Sequence, residues 1–162
     1  MASITTIGVY GFERASFLAA LAAAQVDLLL DVRQRRGVRG SEYAWANAAR
    51  LQAALKEVGI GYTHVKELAP TTELRELQYE EDARLGEGKR SRTTLAPEYV
   101  RLYTEEILDP VDLEPIVDWI GDSSAALLCV ERDPEACHRS LIAARLKRDW
   151  GFAIEHAVPS AI

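Results

Sequence analysis

Residues 125–146 read "AALLCVERDPEACHRSLIAARL". The opening "AALLCVE" is a short apolar run, the signature of a strand buried on both faces of a parallel sheet. The continuation "DPEACHRSLIAARLKRDWG" predicts a helix, with Asp133 as N-cap, Pro134 at the first helical position and Gly151 at the stop. A strand running straight into a helix is part of a βαβ unit. Twelve residues between the apolar halves, Cys129 to Ser140, hold two cysteines, a histidine, two arginines and three carboxylates. Either this is a site, or it is a capped helix whose polar residues happen to sit together.

Working outward, the same alternation repeats. "SITTIGVY", Ser3 to Tyr10, is β-branched and reads as a strand ended by Gly11, followed by the Ala/Leu-rich helix "ERASFLAALAAAQ". "VDLLLDV" reads as a second buried strand. The segment from Tyr43 to Gly59 has helical spacing, with Leu51, Leu55 and Val58 as its apolar face. "IGYTHV" is a third strand. "PTTELRELQYEEDARLG" predicts a helix capped by Thr71 or Thr72. Two more helical stretches, "APEYVRLYTEEIL" and "DLEPIVDWIGD", follow, the second with an interruption expected near Pro115. "FAIEHAV" closes as a fifth strand. Trp119 and Trp150 read as core or helix-packing residues. The expectation is one α/β domain spanning 1–162, a three-layer sandwich around a mainly parallel sheet of about five strands.

Composition restricts the function. The 162 residues are enough for one domain with its own core. A net charge of −6 opposes non-specific binding to DNA or anionic membrane. No segment is long and apolar enough to span a bilayer, and the N-terminus lacks a signal-peptide pattern, so no membrane partner and a cytoplasmic location are expected. Cys129 and Cys137 are accordingly expected as thiols rather than as a disulfide. Oligomeric state is not readable.

In open α/β sheets, ligands bind beyond the carboxyl ends of the strands. Tyr10 and Gly11 follow the first strand. Asp31, Arg33, Arg35, Arg36 and Arg39 follow the second, and His64 and Lys66 the third. Glu131, Asp133, Cys137, His138 and Arg139 follow the fourth. Chemistry-bearing residues collect at one edge.

"TIG" in the first strand, "LLDVR" after the second, "GIGYTHVKELAP" around the third and "LLCVERDPEACHRSLIAARL" at the fourth resemble the bacterial family known as domain of unknown function 488. The resemblance runs from about Ile4 to Leu146 and implies a small α/β sandwich, with no established reaction. The chain departs from the pattern at Val9 and Tyr10, where many relatives carry His-Ser. The arginine-rich loop from Arg33 looks like a subgroup feature.

Each residue has a functional and a structural reading. Cys137, expected near a helix N-terminus with Arg139 close by, is a candidate nucleophile; a small buried hydrophobe is the alternative. Arg33 and Arg139 suit a phosphate clamp, or ion pairs with Asp31 and Glu131 that hold the loops. Asp31 and Glu131, with His138, are candidates for acid–base work, and His64 for substrate contact. Asp31 and Glu131 could instead be metal ligands with His64 or His138, but no paired-histidine spacing occurs, so no metal is expected; no cofactor is expected either. The loop carrying Arg35, Arg36 and Arg39 beside Tyr43 and Trp45 suits nucleotides or single strands, and "GKRSRTT", with Lys89, Arg90 and Arg92, adds a second basic segment.

Two classes of function therefore stand. One is an enzyme on a small phosphorylated or nucleotide-like substrate, with Arg33, Arg139 and Glu131 converging on one pocket. The other is a non-catalytic nucleic-acid or nucleotide-binding module using the arginine loop.

Overall fold

Five short segments rich in β-branched residues, leucine and alanine form the strands: β1 (Ser3–Ile7), β2 (Leu28–Asp31), β3 (Gly61–His64), β4 (Ser124–Leu128) and β5 (Ala153–Ala157). The structure is a computed structural model and describes residues 2–88 and 90–160; Lys89 therefore lies outside the described residues. All strand pairings are parallel, in the order β3-β2-β4-β1-β5. β2, β4 and β1 occupy the centre and are almost wholly buried; β2 and β4 are mainly apolar, while β1 buries Thr5 and Thr6 between its isoleucines. The edge strands β3 and β5 carry more exposed residues, such as Glu155 and His156.

The connections split by direction. β1 leads through α1 (Arg14–Ala23) past β4 to β2, which leads through α2 (Ala48–Glu57) outward to β3. The chain then returns. α3 (Thr72–Arg84), α4 (Pro97–Tyr103) and α5 (Glu114–Ile120) bring it to β4, and α6 (Arg139–Trp150) carries it to β5. Right-handed crossovers in opposite directions place helices on opposite faces. The buried residues divide accordingly. Phe17 and Leu21 of α1 and Leu51 and Leu55 of α2 pack with Ile7, Leu29 and Leu128. Leu74, Tyr99, Tyr103, Ile116, Ile142 and Leu146 of α3 to α6 pack with Ile4, Leu30 and Leu127. This is a five-stranded all-parallel sheet between two helical layers. β4 lies between two strands whose crossovers leave on the opposite face, so its carboxyl end is the point where strand order reverses.

Several boundaries differ from the sequence expectation. β1 ends at Ile7, before Gly8 and not at Gly11. The helix expected from Tyr43 divides at Asn47, which is extended; a 3-10 turn (Ser41–Ala46) precedes it and α2 follows. The Asn47 side-chain oxygen accepts from the Val38 amide at 2.7 Å, tying the residue to the preceding loop instead of to a continuous helix. Thr71 caps α3 by accepting from Leu74 N, as expected. Pro115 sits in the first turn of α5, where its missing N–H costs nothing, so it starts that helix and does not interrupt it. Trp119 and Trp150 are 53% and 40% exposed, so neither is a core residue. Among the described residues no helix is long and apolar enough to cross a membrane.

Candidate functional site

The stretch after β4 does not form the capped helix its sequence predicts. Asp133 makes no side-chain cap, Pro134–Ala136 is one 3-10 turn, and Cys137 is extended at φ −143° and ψ 150°. α6 begins only at Arg139, after His138, and ends at Gly151 in the left-handed conformation. Cys137 is thus off the helix, one residue before its N-cap His138, and not in its first turn as expected. Its extended backbone directs the side chain back to β4, where it is disulfide-bonded to Cys129 across a Cα–Cα distance of 7.0 Å. The expectation of two free thiols is corrected.

Glu131 is 5% exposed, and its carboxylate is held from one side. Arg92 Nη2 donates to Oε1 at 2.6 Å, Arg92 Nη1 donates to Asp82 at 2.7 Å, and Arg92 Nε donates to the Ala136 carbonyl at 3.0 Å. Arg92 is therefore a buried bridge from α3 to the 129–137 turn and not a surface contact for a polyanion. The other carboxylate oxygen of Glu131 lies 3.1 Å from Cys129 Sγ. His138 is buried, with Nε2 at 2.8 Å from the Val32 carbonyl and Nδ1 at 3.6 Å from both sulfurs. A carbonyl only accepts, so Nε2 carries the proton and the Nδ1 of a neutral ring presents its lone pair to the sulfurs. Cys129 Sγ, Cys137 Sγ and His138 Nδ1 all lie within 4.8 Å of one another, a donor set suited to a soft metal ion.

The expected arginine clamp does not form. Arg33 is 1% exposed and donates through Nε and Nη2 to Asp31, both at 2.8 Å, and through Nη1 to the Ala46 carbonyl at 2.9 Å. Asp31 also accepts from Tyr62 Oη at 2.6 Å, leaving it saturated and unsuited to proton transfer. His64 Nε2 donates to the Arg33 carbonyl at 2.9 Å and braces the same turn. Arg139 is fully buried. It donates to the carbonyls of Glu131 and Arg132 at 2.7 and 3.1 Å, while its Nε has no partner. Burial pulls its pKa down to about 10, against the opposing pull of Glu131, Asp133 and Glu135. Arg33, Glu131 and Arg139 do share the carboxyl edge, but Arg33 and Glu131 line a cavity that Arg139 does not reach. Arg139 instead fixes the exit of β4, where β1 passes so closely that a Cβ on Gly8 would meet the Glu131 carbonyl oxygen at 1.9 Å. The Val9 and Tyr10 amides both donate to the Val130 carbonyl at 3.0 Å there.

That cavity is small, about 40 Å³. Its lining includes Arg33, Arg35, Arg75, Arg92, Glu131 and the Cys129–Cys137–His138 cluster. Through Arg35, Arg75, Tyr79 and Val130 it shares a wall with an outer cleft of about 630 Å³, also lined by Tyr10, Arg39 and Arg90. Arg90 lies over the rings of Tyr10 and Tyr43, at 5.1 and 5.3 Å from their centroids. Among the described residues no carboxylate stands within ion-pair distance of Arg35, Arg39 or Arg75; Arg75 is oriented by bonds to Gln34 and Tyr79.

Of the loop residues read as a possible nucleic-acid surface, Arg35 and Arg39 face the outer cleft. Arg36 turns to the Tyr62 hydroxyl, Tyr43 accepts from the Gly11 amide, and Trp45 packs on Phe17 at 4.9 Å. The contribution of α3 was missed altogether. Its signal was present: Arg75, Gln78, Tyr79 and Asp82 follow helical spacing and form one polar face, with Gln78 and Asp82 buried.

Residues 13–146 match the family described as Domain of unknown function DUF488. No curated protein and no solved structure matches the chain.

Proposed function

Since the chain belongs to the DUF488 family, whose description carries no reaction, its activity has to come from its own residues, and we propose that it is an enzyme acting on a small phosphorylated or nucleotide-like substrate. The observation that carries this is the pair Arg35 and Arg75. Both lie where the outer cleft meets the inner cavity, and among the described residues neither has a carboxylate partner. Arg75 is half-buried and Arg35 is exposed; a guanidinium without an internal anion is a ready partner for a phosphate, which it binds through charge-assisted hydrogen bonds. The outer cleft has the volume of a small-molecule site. On its wall Tyr79 has Arg75 5.6 Å from its ring centroid, and the Tyr10 ring lies under Arg90.

In this reading the anionic group rests on Arg35 and Arg75, with Arg39 and Arg90 nearer the entrance. The reacting end faces Glu131 and His138. Glu131, bonded to Arg92, is the candidate proton acceptor; His138 has its Nδ1 turned to the two sulfurs on the cavity floor. The Cys129–Cys137 bond leaves no thiolate in this state, so no nucleophile is placed on Cys137.

The test is calorimetric titration with nucleoside mono- and diphosphates and sugar phosphates, each against its uncharged parent. Binding of a phosphorylated compound, no binding of its parent, and loss on combined Arg35→Ala and Arg75→Ala replacement is the expected result. Equal binding of charged and uncharged forms rejects the reading.

A further inference from the structure

We propose that, once reduced, Cys129, Cys137 and His138 form a zinc site at the floor of the inner cavity. This does not depend on the anion reading of the cleft above it. Three observations support it.

The first is the donor set. Two sulfurs and an imidazole nitrogen, all buried, lie within 4.8 Å of one another. That combination favours zinc over magnesium or calcium, which take oxygen ligands. The Cα atoms of the two cysteines are 7.0 Å apart, wide enough for two thiolates to share one ion.

The second is the set of supporting contacts. Metal-bound histidines characteristically donate their second ring N–H to a carbonyl or carboxylate, which fixes the tautomer and orients the ligating nitrogen. His138 does this through Nε2 to the Val32 carbonyl at 2.8 Å, leaving Nδ1 at 3.6 Å from each sulfur. Glu131 stands beside Cys129 at 3.1 Å, and Arg92 holds its other oxygen at 2.6 Å.

The third is access. Cys129, Cys137, His138 and Glu131 all line the inner cavity. An ion with three protein ligands keeps its fourth position open to that cavity, the arrangement of catalytic rather than closed structural zinc sites. Glu131 is placed to accept a proton from a water or ligand in that position.

The chemistry balances simply. A dithiol reductant supplies two electrons and two protons, the sulfur–sulfur bond breaks, and the reductant leaves as its own disulfide. Zn²⁺ then displaces both thiol protons to solvent and binds the two thiolates. Metal and disulfide are mutually exclusive, because both use the same sulfur electron pairs.

The experiment uses the full chain, reduced with dithiothreitol, desalted without oxygen and titrated with Co²⁺ as a spectroscopic stand-in for zinc. One equivalent should produce a thiolate-to-cobalt charge-transfer band and the intense visible absorption of tetrahedral cobalt, and Zn²⁺ should abolish both. The disulfide form should give neither. Cys137→Ser and His138→Asn, each checked for retained fold by circular dichroism, should lose the charge-transfer band or its tetrahedral pattern. The combined Arg35→Ala and Arg75→Ala variant should keep the metal signal, which separates this site from the anion site. A reduced wild-type chain that gives no charge-transfer band overturns the proposal whatever the variants do. So does a band that persists in folded Cys137→Ser.

Discussion

Two groups of arginines lie within one edge of this sheet. Arg33, Arg92 and Arg139 are buried, and their guanidinium groups are taken up by Asp31, by Asp82 with Glu131, and by the carbonyls of Glu131 and Arg132. Arg35, Arg39 and Arg75 line the open cleft, with no carboxylate partner among the described residues. Of this first group Arg33 and Arg139 were the natural choice for ligand binding from sequence, because they flank the strand ends, while Arg92 was read with the second basic segment. The structure assigns all three to architecture. Arg33 and Arg92 have their donors taken up internally, and Arg139, whose Nε has no partner, is fully buried and does not line the cavity; exposing any of them would cost the fold. In the proposed reading recognition falls to the second group, which has no carboxylate partner among the described residues.

The largest effect expected from this contrast is on stability. Asp31→Ala strands the Arg33 guanidinium in the core and should cost about 3–5 kcal/mol in urea unfolding. A cost below about 1 kcal/mol would mean that the pair does not hold the β2 exit, and the contrast would fail at its strongest point. Gly8→Ala comes next. Its Cβ would overlap the Glu131 carbonyl, and the resulting shift of β1 from β4 should cost about 1–3 kcal/mol.

The cleft arginines should behave in the opposite way. Arg35→Ala and Arg75→Ala should each change unfolding free energy by no more than about 0.5 kcal/mol. Each should weaken binding of a phosphorylated ligand about tenfold or more, by loss of a charge-assisted hydrogen bond. A large stability loss in either variant would erase the distinction between the two groups. A labelled single-stranded oligonucleotide sharpens the same point. With Arg36 turned to Tyr62 and Arg92 buried, binding should be weak and shallow in its salt dependence. Tight, steeply salt-dependent binding that vanishes when Arg35, Arg36 and Arg39 are replaced together would establish the binding-module alternative.

The smallest expected effect lies on the edge strand β5. Burial lowers the pKa of His156 on β5, whose Nδ1 lies 2.6 Å from the Thr6 hydroxyl. A depressed histidine pKa favours the neutral ring in the folded state, so its share of stability is complete above about pH 6.5 and lost as pH falls through the lower folded value. Thermal unfolding of His156→Gln should therefore be slightly less sensitive to acidification than wild type.

How much of this was legible in sequence follows from the range of each interaction. The strands, their alternation with helices, the Thr71 cap and the Gly151 stop are local, and periodicity or a single residue type announces them. The concentration of chemistry after β2 and β4 was also legible, since a parallel sheet places those ends together. Partner choice was not. Arg92 finds Glu131 across 39 positions, and only the fold says that Arg139 turns to carbonyls while Arg75 turns to the cleft. The cysteine pairing was misjudged because composition addresses the compartment, whereas Cys137 is brought to Cys129 by a turn that replaces the expected first turn of the helix. The site face of α3 was readable in principle, but charged residues at helical spacing usually mark a solvated surface.

The strand order also has a consequence in time. β1 is made first, yet both of its neighbours, β4 and β5, come from the last third of the chain. During synthesis at ~5–20 residues per second, β1 and the β2–β3 pair wait on the order of ten seconds for β4 to fill the gap between them. Throughout that interval the edges of β1 and β2 are unpaired, and an unpaired strand edge is a template for pairing with another chain. The element that completes the candidate site is thus also the one that closes the sheet, and a nascent chain stalled before Ser124 exposes its central strands to the cell.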